Sequence, residues 1–129
     1  MKPVSSVAAL AVWALPVGAM ASPDMECGGS SQIEIADCLA KVEETVDGVV
    51  ASALGFATAS ARELDQTTGR DVAVRALEAG QAAWSAYRDA HCEFIGATYG
   101  GGSGTGIAIR SCRIELGRAR ARALMAASR

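Results

Sequence analysis

The chain of 129 residues carries 12 Lys and Arg against 14 Asp and Glu, a formal charge of −2, with four cysteines and one histidine. That balance argues against a polybasic nucleic-acid binder, and a lone histidine leaves any metal centre without its commonest ligand. No cofactor and no metal is expected.

Taken in chain order, the first signal is at the N-terminus. Lys2 precedes an apolar stretch from Val4 to Val17, followed by Gly18-Ala19-Met20-Ala21. A charged start, a short apolar run and a small-x-small end read as a secretory leader over residues 1–21, removed after Ala21. The run is short of the about 20 apolar residues a bilayer span needs, and Cys27 lacks a lipobox before it. The reading predicts a periplasmic or secreted product, residues 22–129, forming one domain with no membrane span of its own.

Ser22 to Ser31 is polar, with Pro23 and a Gly28-Gly29-Ser30-Ser31 turn. Ser30 or Ser31 is placed to cap a helix from about Gln32 to about Leu64. Ile33, Ala36, Leu39, Ala40, Val46, Val49, Val50, Ala53, Leu54 and Ala57 give it an apolar face at three-and-four spacing. Gly48 and Gly55 are expected to weaken or kink it, at about 1 kcal/mol each relative to Ala. Thr67-Thr68-Gly69 interrupts the pattern, and Asp71 or Thr68 is expected to cap a second helix reaching about Ala97. A loop, Tyr99-Gly100-Gly101-Gly102-Ser103-Gly104-Thr105-Gly106, leads to a third helix from about Ile107 to about Ala126. Period-2 runs of β-branched residues are missing. The predicted class is all-α: a small three-helix up-down-up bundle.

In an exported domain of this size, Cys27, Cys38, Cys92 and Cys112 read as two disulfides. Cys92 and Cys112 stand ten residues either side of Gly102, so an antiparallel helix pair joined at that loop brings them to one height. This favours Cys92–Cys112 with Cys27–Cys38. The rival, Cys38–Cys92 with Cys27–Cys112, stays open because the first two helices are antiparallel as well.

Charge is uneven along the chain. Ser22 to Asp65 holds nine acidic residues and two basic ones, a balance of −7; Gln66 to Arg129 holds five acidic residues and nine arginines, a balance of +4. Part of this must cancel within the fold, and the remainder is available to steer a charged partner.

Catalytic motifs are weak. The glycine loop has no G-x-G-x-x-G register and no following Gly-Lys-Ser/Thr, so it is a connection and not a phosphate cradle. His91 and Cys92 are neighbours on a helix and point about 100° apart, which does not make a nucleophile pair. Glu34, Asp37, Glu43 and Glu44 sit on a single helix, whereas glycosidase carboxylates face each other across a cleft. Arg118 and Arg122 share a face that Arg120 does not. An enzyme is not expected.

One constellation is more specific. Gln81, Trp84, Arg88 and Cys92 are spaced to share one helical face, flanked by Tyr87 and Asp89. The expectation is that Trp84 packs in the core while Gln81 and Arg88 satisfy loop or helix-end carbonyls.

The run Gln81-x-x-Trp84-x-x-Tyr87-Arg88-Asp89-Ala90-x-Cys92 resembles the LprI-type lysozyme inhibitors, small exported bacterial proteins. Gly101-Gly102-Ser103 matches that family's Gly-Gly-Ser loop. Cys112, Leu116, Arg120 and Leu124 match its last helix, and Cys27 and Cys38 its early cysteine pair. The chain departs from the pattern after Asp47, where Gly48-Val49-Val50 follows without the family's Asn and Tyr, and at Gly117, where a Thr is common. The resemblance implies an exported protein that inhibits lysozyme by protein–protein contact. C-type lysozymes are basic, so Glu34, Asp37, Glu43, Glu44 and Asp47 on the acidic first helix are the candidate partner contacts. The alternative is a non-catalytic structural or envelope-stress module with another partner.

Overall fold

The structure is a computed structural model that describes residues 21–128. The expected leader falls on residues outside that range, except for Ala21. The described chain folds as four helices with no strand among the described residues: α1 (Pro23–Glu26), α2 (Gln32–Thr68), α3 (Ala73–Ala97) and α4 (Thr105–Ala127). The three long helices are those the periodicity calls for. The short α1 is an addition: the polar arm turns once, with Pro23 at the first helical position, where a missing N–H costs nothing.

α2 begins as expected. Ser31 Oγ accepts from the Glu34 N–H at 3.2 Å, and Glu34 Oε2 accepts from the Ser30 N–H and hydroxyl, each at 2.8 Å. These bonds satisfy amides that a helix start leaves orphaned. The Ser30 hydroxyl, then the Ser30 amide, holds the Glu34 carboxyl below its usual pKa. The helix then runs 37 residues, about 55 Å, to a C-cap at Gly69 with φ 66°. The helix is unbroken at Gly48 and Gly55. Both lie on the exposed side, where losing a side chain costs propensity but opens no gap.

The start of α3 corrects a second expectation. Neither Asp71 nor Thr68 caps it. Asp65, a turn back along α2, does so: Oδ1 accepts from the Val72 and Ala73 amides at 3.2 and 2.9 Å, and Oδ2 from the Val74 amide at 3.0 Å. One carboxylate thus closes the α2–α3 hairpin. The Val74 and Ala73 amides draw its pKa below the ordinary carboxylate value.

The ladder of cross-helix bonds gives the topology. Arg110 Nη1 donates to Glu43 at one end, and the Ser60 hydroxyl donates to the Ser128 carbonyl at the other. Residue numbers rise together, so α2 and α4 are parallel with α3 antiparallel to both, the up-down-up order. The buried core is Leu39, Val46, Val50, Ala53 and Ala57 of α2 against Ile114, Ala121 and Leu124 of α4. Leu39 and Ile114 are wholly buried. Ile33 and Val49, expected on the apolar face, are exposed, while Ile35 and Val42 pack against the core in their place.

The core is built of small and medium side chains, so the helices approach closely. Gly117 on α4 lies against Val46, and a Cβ there would stand 2.6 Å from Val46 Cγ1. Gly96 on α3 lies against Ile109 in the same way, at 2.5 Å. The disulfides are Cys27–Cys38 and Cys92–Cys112, the favoured pairing. The first ties the α1 arm to α2 and the second ties α3 to α4.

Candidate functional site

The motif on α3 forms a clasp across three helices. Arg88 Nη1 donates to Asp47 Oδ1 of α2 at 2.7 Å, and the Arg88 guanidinium lies 4.9 Å from the centre of the Trp84 ring. Arg120 of α4 donates from Nε to Gln81 Oε1 at 2.9 Å, with its guanidinium 5.8 Å from the same ring. Trp84 is therefore flanked by two cations, each close enough for a cation–π attraction. Trp84 is half-buried, and Gln81 and Arg88 reach side chains instead of the loop or helix-end carbonyls expected of them. The arrangement holds helices together and presents no cleft.

Tyr87 stands apart from the clasp. It is exposed and stacks on His91, ring centres 5.2 Å apart and 16° from parallel, with Phe94 next along the same side. Asp89 lies 3.8 Å from Arg113. Gly101, Gly102 and Ser103 are loop structure. Gly100 and Gly101 adopt φ of 63° and 78°, where a Cβ is unfavourable, and the Gly102 carbonyl accepts from the Thr105 amide and hydroxyl to start α4.

The five acids named as partner contacts divide into two groups. Glu43 is mostly buried and pairs with Arg110 at 2.8 Å and Arg113 at 3.7 Å, and Asp47 is held by Arg88. Glu34 is engaged in the α2 cap. Asp37 and Glu44 are exposed and carry no ion pair among the described residues. The acidic and basic halves of the chain thus cancel in part across the interfaces, as the charge pattern implies. Glu26 extends this: Arg118 donates to both its carboxylate oxygens, at 2.8 and 2.7 Å. That bidentate hydrogen bond lowers the Glu26 pKa and raises that of Arg118. No sequence spacing announces it, since the partners are 92 residues apart.

Open cavities flank the bundle, two of them towards its opposite ends. One of about 400 Å³ lies behind α4, between α1 and the C-terminal end of α3. The other, about 590 Å³, lies where α4 ends and the α2–α3 hairpin continues past it, lined by Ala57, Ala61, Leu64, Leu77 and Ala127. Cys92 is in a disulfide and holds no thiolate, and no group of three potential metal ligands occurs among the described residues. No described helix is long and apolar enough to cross a membrane.

The family model described as Lysozyme inhibitor LprI matches residues 25–124. The matched span contains all four cysteines, the α3 clasp and the glycine loop. Comparison with curated proteins and with solved structures gives no match.

Proposed function

The chain belongs to the LprI family of lysozyme inhibitors, and from that membership we propose that it is an exported, non-catalytic binding protein that inhibits C-type lysozyme by protein–protein contact. The family match over residues 25–124 carries this reading. Two disulfides in so small a domain suit an oxidising compartment, periplasmic or extracellular. Its partner is a basic protein and not a nucleic acid.

Asp37 and Glu44, two helical turns apart on one exposed stripe of α2, are the members of the acidic set free to meet such a partner. Glu34, Glu43 and Asp47 act first within the fold. Long-range attraction from exposed carboxylates accelerates encounter and is screened by salt. The test is lysis of bacterial cell walls by a C-type lysozyme with the oxidised protein titrated in, at low and then high salt. Dose-dependent inhibition that weakens with salt is expected. A folded protein without inhibitory effect would remove the reading.

The internal commitment of three of the five acids favours a second reading, an envelope interaction module that meets a partner other than lysozyme. It predicts the same stable fold with no effect on muramidase activity.

A further inference from the structure

The aromatic residues are distributed unusually. Of the five Phe, Trp and Tyr residues in the described chain, Trp84 is half-buried in the clasp and none belongs to the buried core. Three of the other four gather on the C-terminal half of α3 and the turn after it: Tyr87 is 54% exposed, Phe94 63% and Tyr99 55%. His91 stacks on Tyr87, lies beside Phe94, and also lines the cavity behind α4. The ridge therefore runs into the cavity. Large side chains kept in water contribute little to folding, whereas aromatic residues are enriched where protein interfaces bind most strongly.

The cavity has a matching chemistry. Its walls are apolar, from Ile95, Ile107 and Leu116, with the Tyr99 ring alongside. Gly104 leaves room for that ring: a Cβ there would stand 3.2 Å from Tyr99 Cδ1. Asp24 of α1 and Glu115 of α4 also line the cavity, and neither has an ion-pair partner among the described residues. The nearest cation along α4, Arg118, is bound by Glu26 through both carboxylate oxygens, and the nearby Glu115 charge also raises its pKa. Ser111 lines the cavity at 9% exposure, and its Oγ has no hydrogen-bond partner among the described residues. An open, partly apolar recess with two carboxylates outside any ion pair and a spare hydroxyl suits a long side chain with an apolar stem and a cationic head.

We infer that the α3–α4 face is the docking surface for a basic protein: the Tyr87–His91–Phe94 ridge covers it, and the cavity between Asp24 and Glu115 receives one of its Lys or Arg side chains. This rests on the proposal that the partner is a lysozyme, and assigns the contact to a different face from the α2 acids. Asp37 and Glu44 then contribute attraction at a distance, and the ridge and cavity contribute the short-range hold.

The experiment is titration of the oxidised, isotope-labelled protein with a C-type lysozyme, followed by amide NMR, with affinities of variants measured by calorimetry. Shifts are expected at His91, Phe94, Tyr99 and Ser111. Phe94→Ala, and Asp24→Asn combined with Glu115→Gln, should each weaken affinity about tenfold or more at an unchanged melting temperature, with Glu78→Gln as a neutral control. Lysozyme binding with shifts confined to the Asp37 and Glu44 stripe, and variants of wild-type affinity, would overturn the inference and leave the lysozyme reading standing. A folded wild-type protein that binds no C-type lysozyme would overturn both.

Discussion

Gly117 gives the sharpest test of how the bundle is packed. A Cβ there would stand 2.6 Å from Val46 Cγ1, closer than real Cβ contacts come, and Val46 is β-branched, so it cannot swing aside freely. Gly117→Ala gains about 1 kcal/mol of helix propensity but incurs about 1–3 kcal/mol of overpacking, a net effect from neutral to about 2 kcal/mol destabilising. Gly48→Ala on α2 is the matched control, because nothing lies within 4 Å of its Cβ position. It should stabilise by about 0.5–1 kcal/mol, raising the melting temperature by a few degrees. Val46→Ala alone should destabilise through the two lost methyls, about 1.6 kcal/mol before any cavity cost. In the double variant the new methyl occupies part of the vacated space. The cycle should therefore show a favourable coupling of about 1 kcal/mol or more, measured by urea denaturation followed by circular dichroism. A Gly117→Ala protein as stabilised as Gly48→Ala, or a strictly additive cycle, would refute the close α2–α4 approach.

Replacing Cys92 and Cys112 with Ser opens a 20-residue loop and should lower stability by about 3 kcal/mol, read as a large drop in melting temperature that reductant reproduces in the wild type. Leu39→Ala, at a wholly buried site, should cost about 2–5 kcal/mol in the same assay. Asp65 has a folded-state pKa below its unfolded one, so the stability it contributes is present at neutral pH and is lost as pH falls through the folded pKa. Asp65→Ala should therefore lower the melting temperature near neutrality and flatten the acid side of the stability curve; an equal drop at every pH would sink the assignment. Charge reversal of Asp37 with Glu44 should slow association with lysozyme at an unchanged melting temperature. Reversal of Glu43 should lower the melting temperature first, since it sets like charges against Arg110 and Arg113.

Local features were legible in the sequence and long-range ones were not. The Ser31 cap and the loop at Gly100 to Ser103 each depend on residues within a few positions of one another, and the structure places them where the spacing does; α2 instead runs on to Thr68, four residues past the expected end near Leu64, before Gly69 stops it. The Cys92–Cys112 bond was favoured by the spacing too, because a glycine loop between antiparallel helices brings positions equidistant from it to one height, but the rival pairing stayed open until the structure showed the bonds. The cap of α3 was missed because its acceptor, Asp65, comes from the preceding helix, beyond the turn where a capping side chain is sought. The apolar stripe of α2 was misassigned at Ile33 and Val49 because a helix of 37 residues has room for two overlapping stripes, and the position of α4 decides between them.

The same limit explains the acids. Glu43 and Asp47 form one stripe of α2, Asp37 and Glu44 another, about a quarter-turn away, and nothing within the helix distinguishes them. Arg110 and Arg113, some 70 residues on, turn the first stripe inward, together with Arg88 of the clasp. A surface inferred by counting charges along one helix is therefore too acidic by the charges its neighbours neutralise. Here two of the five carboxylates, Asp37 and Glu44, remain without an ion pair or a capping role among the described residues, too few to hold a basic partner against physiological salt by attraction alone, since exposed pairs contribute about 0–1 kcal/mol each. Tight inhibition by this protein would have to draw most of its affinity from apolar and aromatic contact, and α3 with the turn after it carries three of the exposed aromatic side chains among the described residues.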